Sequence, residues 1–378
     1  VKRPDGVAPV TPPRRRAADL LRPVGRSRWG MAAWLALGLG AILGVSAALG
    51  RAEFGSAVAL GFVLTAVPSL PTTLRSALAI IGIRGVTVLA GATVAVLTAG
   101  DPLTLGMATV AAAVCGGLLE RVGPTAGLAV VLVGVDVHRA GHGDASAATV
   151  LWPYAIGVLV VAIAWAAWFA CAEAIRATRR EPRAEPTAAA RTSWQARCSH
   201  AARVGVAVGA AAVIAAMLPS DLVGGHWLIT SVLLTVQPAA VDTGMRLAQR
   251  LSGNAVGALI AAVLLGTHPA VPVVAVVTVV LFTLAMALRP VNYTWWAVTG
   301  PPVLLVISEY PQLFPWYEGG VRLAMNLAGA VIVLAVVFGF PMLGRLPALG
   351  RIGSRRRPDD FPDDENSDSV YKIQTRSV

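Results

Sequence analysis

Residues 149–173 read TVLWPYAIGVLVVAIAWAAWFACAE, with no charged side chain before Glu173. A run of this length and apolarity crosses a hydrocarbon core of about 30 Å as a helix, because each residue adds about 1.5 Å of rise. Helices also satisfy every backbone hydrogen bond internally, which lipid demands. The same pattern occurs before this stretch at 31–49, 55–70, 77–99, 103–119 and 123–137. It returns after it at 203–218, 226–240, 249–266, 271–288, 292–308 and 320–342. The reading is an all-α integral membrane protein of about twelve transmembrane helices. A transmembrane barrel would show short alternating segments instead. Composition agrees: the 378 residues are 56% hydrophobic and 13% charged, against about 25% charged in soluble domains.

Between and around these runs the chain divides into five parts. Residues 1–28 are a basic, proline-rich tail read as disordered, and 29–173 hold the first six spans. Residues 174–200 are a charged linker, 201–342 hold six more spans, and 343–378 form a second disordered tail. The formal charge of +11 does not point to nucleic acid, since the arginines sit at span ends and in the tails. With an even number of spans, both tails and the linker share one side. Of 31 Lys and Arg residues only Arg51, Arg139 and Arg322 then fall opposite. This is the positive-inside pattern, which predicts a multi-pass protein with both termini cytoplasmic. Only two residues, Lys2 and Lys372, are lysine, and Ala, Val and Gly abound, a composition typical of a GC-rich bacterial genome. The expected location is therefore a bacterial plasma membrane.

The two sets of six resemble one another. At a constant offset of 166, Arg84 aligns with Arg250, Gly91 with Gly257, Ala92 with Ala258, Ala95 with Ala261 and Gly100 with Gly266. Both segments follow a proline-bearing break, at Pro68 and Pro71 and at Pro238. Six spans per half is an even number, so the expected repeat is parallel, about an axis along the membrane normal.

Catalytic motifs are absent. Lysine at positions 2 and 372 alone rules out a GxxxxGK[ST] phosphate loop, and no HExxH, CxxC or GxSxG occurs, so the chain is read as no enzyme. No cofactor is expected, and Cys115, Cys171 and Cys198 are too scattered for a disulfide or metal framework. His138 and His142, in DVHRAGHGD, have metal-ligand spacing, but two glycines argue for a loop and no metal site is assigned. Charged groups at membrane depth face protein or water, or snorkel to the headgroups. Arg84 and Arg250 fit either description: cations at the inner mouth of a pathway, or orientation signals. Around the break at Pro238, Gln237, Arg246, Arg250 and Asn254 concentrate polar groups, with Arg246 and Arg250 on one helical face. They read equally as a substrate lining and as a structural turn in which Asp242 pairs with an arginine. Trp295 and Trp296 lie deeper than an interfacial belt and could stack on a ring or pack in a core.

Trp227 through Pro238 fits W–x₂–T–S–x–L–L–x–V–Q–P, and Arg246 through Ala258 fits R–x₃–R–x₂–G–x₃–G–A. With the stretch Asn292 to Leu305, these resemble the fusaric-acid-resistance-like (FUSC) aromatic acid exporter family. More distantly the chain is similar to plant aluminium-activated malate transporters, in which paired six-helix units surround an arginine-lined path. The specific resemblance covers about half the chain, and the large soluble domain of longer members has no counterpart in the 174–200 linker. It implies export of organic anions, aromatic carboxylates in particular, by a secondary or passive mechanism. The substrate-binding residues expected are Arg84, Arg250, Arg246, Gln237, Asn254, Trp295 and Trp296. Expected partners are the lipid bilayer and an organic anion, with a homo-oligomer or a membrane protein partner left open and nucleic acid excluded. Two other functions stay open: a non-transporting scaffold for an envelope-synthesis enzyme, and a flippase for an anionic lipid-linked substrate.

Overall fold

A computed structural model describes residues 23, 25–67, 73–139, 146–179, 193–218, 224–267, 270–309 and 318–339. Among these the chain forms twelve α-helices and no strand. The first six are α1 (Trp29–Ala48), α2 (Ala52–Thr65), α3 (Leu74–Thr98), α4 (Pro102–Leu118), α5 (Thr125–Arg139) and α6 (Ala147–Arg179). The second six are α7 (Trp194–Met217), α8 (Gly225–Thr235), α9 (Ala240–Gly266), α10 (Val271–Leu288), α11 (Tyr293–Glu309) and α12 (Glu318–Leu334), the last closing in a π-helical turn, Ala335–Gly339. Each apolar run of the sequence overlaps one of them. Most of the N-terminal tail, linker residues 180–192, the residues Pro68, Pro71, His142 and Asp144, and the C-terminal tail lie outside the described residues.

Five segments are long and apolar enough to cross a membrane: α1, α3, Ala147–Ala174 of α6, α7 and Gly319–Gly339. Helices α2, α4, α5, α8 and α10 are apolar but shorter. The chain is a multi-pass helical membrane protein by these features. Four helix ends differ from expectation. The linker is narrower than 174–200, because α6 continues to Arg179 and α7 starts at Trp194. The Ser193 side chain accepts the Ala196 N–H and caps α7 there. Conversely, α2 and α8 stop several residues short, at Thr65 and Thr235. Ala66 (φ −59°, ψ 136°) and Val236 (φ −66°, ψ 120°) both turn out in extended backbone, as a chain approaching proline does. At about 1.5 Å per residue, the 11 residues of α8 span roughly 17 Å, about half a bilayer core.

Small residues let the helices cross closely. A side chain on Gly157 of α6 would meet the Val58 carbonyl oxygen of α2 at 2.2 Å, and one on Gly329 of α12 would meet Ser231 of α8 at 3.0 Å. Helix α3 packs on α5 and α6, and α9 on α11 and α12. Helix α4 lies on α7, as α10 lies on α1. The pairing in residues 29–179 thus recurs in 194–339. One apolar core, with Phe62, Ile81, Val88, Val133, Val161 and Phe282, fills the first half and joins α10 to it. A smaller one, with Val208, Leu228, Val232 and Val333, joins α7, α8 and α12.

Candidate anion site at the helix breaks

Helices α2 and α8 end in extended backbone at Ala66 and Val236, and the arginines stand two to three turns into the helices that follow, α3 and α9. Arg84 of α3 donates from Nη2 to the Leu64 carbonyl at 3.0 Å, in the last turn of α2. Its Nε is buried and has no hydrogen-bond partner. Arg250 of α9 is 5% exposed and lies within 3.5 Å of Ser231 Oγ on α8 through Nε, and within 3.4 Å of Tyr293 Oη on α11 through Nη1. Each arginine of the aligned pair therefore reaches back to the short helix before its break.

Arg246, one turn before Arg250, lies with its guanidinium 3.7 Å over the Tyr293 ring. Arg289, at the end of α10, stacks 4.5 Å over the Trp296 ring. Arg289 is in electrostatic reach of Arg84 on one side and of Arg246 on the other, and Arg246 is in reach of Arg250. Four guanidiniums, two on α9, one on α3 and one just after α10, thus lie in electrostatic reach one after another. The acidic neighbour of Arg246 is Asp242, exposed in the first turn of α9. A charge at the bilayer centre costs about 3 kcal/mol, and a ring contact offsets about 1 kcal/mol of that. A cluster so rich in cations gains from a bound anion. The two rings add flat apolar surface beside it.

The expected site residues divide accordingly. Arg84, Arg246, Arg250 and Trp296 come together. Gln237 is elsewhere, in the break itself, where its backbone N–H donates to Thr243 Oγ1 at 3.0 Å. It lines a separate cleft of about 230 Å³ with Glu120, Arg197 and His200. Asn254 stands one turn beyond Arg250 and donates to Asn326 Oδ1 of α12 at 2.7 Å. Trp295 is 41% exposed. Sequence reasoning missed Arg289, which reads as one more orientation signal, and Tyr293, inside NYTWW. Tyr293 meets Arg246 and Arg250, 47 and 43 residues away in the chain, and Arg289 is tied to Arg84 across 205, so no local signal connects them. Asp136 of the DVHRAGHGD stretch receives the Tyr154 hydroxyl, while His138 is exposed.

Residues 207–336 match the family model described as fusaric acid resistance protein-like. No curated protein and no solved structure matches the chain.

Proposed function

We propose, for a chain whose residues 207–336 match the fusaric acid resistance protein-like family model, that it carries organic anions, aromatic carboxylates first among them, out across a bacterial plasma membrane. The observation behind this reading is the chain of Arg84, Arg289, Arg246 and Arg250 with the Tyr293 and Trp296 rings. A guanidinium holds a carboxylate through paired N–H donors, and an aromatic side chain offers a face to a substrate ring. Broken helices at this level leave backbone carbonyls free, which is tolerated where they line a cavity. The recurring helix pairings support two parallel six-helix repeats within a twelve-span protein. The arginine distribution supports cytoplasmic termini, which puts the cluster at the inner mouth. The chain works as a secondary carrier or passive channel, not as an enzyme.

Inverted vesicles loaded with the full-length protein should accumulate benzoate faster than empty ones. Arg84→Ala combined with Arg250→Ala should lower that rate at least tenfold while leaving the protein in the membrane. Unchanged uptake by the double variant would overturn the assignment of the cluster. Movement of a lipid phosphate with no benzoate flux would favour the flippase, since the same guanidiniums take phosphate.

A further inference from the structure

Beyond the mouth, the two halves differ in what fills them. Between α2, α3 and α6 the first half is mainly apolar: Phe62, Ile81, Val88, Val150 and Val161 are buried in one core, and Ser56, Thr65 and the Arg84 Nε are the polar groups buried on α2 and α3. Between α8, α9 and α12 the second half buries Ser231, Arg250, Asn254, Arg322 and Asn326. Going outward, these form successive rungs. Arg250 meets Ser231, Asn254 meets Asn326, and Arg322 lies with its guanidinium 3.4 Å over the Trp227 ring. Arg322 also donates from Nη1 to the Pro301 carbonyl at 3.1 Å, and its own carbonyl accepts from Asn326 Nδ2 at 2.8 Å. Asn254 Oδ1 is buried with no hydrogen-bond partner. A cavity of about 20 Å³, room for about one water, sits among Trp227, Asn254, Gly257, Pro302, Arg322 and Asn326.

Three details make this a built passage. Spacing of four residues on α9 (246, 250, 254) and on α12 (322, 326) stacks the polar groups on one face of each helix. Pro301 and Pro302 interrupt the α11 hydrogen-bond ladder, releasing carbonyls at Ala297 and Val298. Gly257 lets α9 approach that broken face, since a side chain there would meet the Val298 oxygen at 2.6 Å. From Arg246 to Ala258 the rise is about 18 Å, more than half of a bilayer core.

We propose that the anion path runs through the second six-helix half alone, and that Arg322, stacked on Trp227, is a second, outer binding station for the carboxylate. The proposal rests on the anion-transport reading. An anion leaving the inner cluster passes the Asn254–Asn326 rung, whose amides rotate to offer N–H groups, and is received by Arg322. The first half then supports the inner mouth through Arg84 and is otherwise closed.

The test uses full-length protein lacking its three cysteines, reconstituted in liposomes. Arg322→Gln should lower benzoate flux at least tenfold with an unchanged melting temperature in detergent, and Arg322→Lys should restore part of the flux. Asn326→Cys should react with a water-soluble anionic thiol reagent, and benzoate should slow that reaction. Val88→Cys, in the first half, should not react. Full flux through Arg322→Gln, or reaction at Val88→Cys with none at Asn326→Cys, overturns the proposal. A parent protein that moves no benzoate overturns the transport reading instead. The labelling contrast then still decides whether the second half holds the aqueous path.

Discussion

The role of an arginine in this protein is decided by its neighbours. Arg84 and Arg250 look alike in sequence, yet one bonds a backbone carbonyl and the other a serine and a tyrosine hydroxyl. A simpler case of neighbour control is Asp101, at the turn between α3 and α4. Its carboxylate accepts the N–H groups of Leu103 and Thr104 and the Thr104 hydroxyl, which hold its pKa below the ordinary carboxylate value. The depressed pKa means its capping contribution is present above the unfolded value, near pH 4, and is lost as pH falls through the folded one. Asp101→Ala should therefore lower the melting temperature at pH 7 and make little difference below pH 3. A melting difference that persists unchanged in acid would mean the cap acts through something other than charge. The capping motif is local chemistry, Asp-Pro-Leu-Thr before an apolar run. Arg289 and Tyr293 were not legible as a site, because they acquire meaning only from α3 and α9 packing beside them.

At the scale of the helix, close approach depends on a few glycines. Methyl groups placed on Gly157 would strike the Val58 oxygen and the Phe62 nitrogen, both backbone atoms that cannot turn away. Gly44 has nothing within 4 Å. Gly157→Ala should thus destabilise the α2–α6 crossing by about 1–3 kcal/mol or more through overpacking. Gly44→Ala should be neutral or stabilising by up to about 1 kcal/mol, since alanine is the better helix former. Melting of the two variants in detergent, followed by tryptophan fluorescence, compares them; equal melting would mean the crossing loosens at little cost. The breaks after α2 and α8 belong to this scale too. Prolines announce them in sequence, but the helix ends lie several residues earlier than the apolar runs, because hydrophobicity continues through extended backbone while helical hydrogen bonding does not.

For the whole molecule, the proposed function requires both ends of the chain to be cytoplasmic, since only then does the arginine cluster face the cell interior. Reporter fusions at residues 185 and 378 should both report cytoplasm. Opposite sides would break the even span count and remove the inner mouth. The asymmetry between the halves adds a second expectation: substitutions that lower flux should concentrate in α8, α9, α11 and α12, with Arg84 the exception.

Sequence by itself determined that this chain is helical, apolar and multi-pass, and where its helices lie, because length, hydropathy and helix caps act over a few residues and need no partner. It also marked the FUSC-like segment and the aligned arginines. Only the tertiary structure decided which polar residues share a space. Arg246 meets Tyr293, Asn254 meets Asn326 and Arg322 meets Trp227 across 47 to 95 positions of chain. Burial makes such contacts consequential, since a polar group taken out of water gains or loses according to the partner it finds there. Hydropathy along the chain carries no record of that partner.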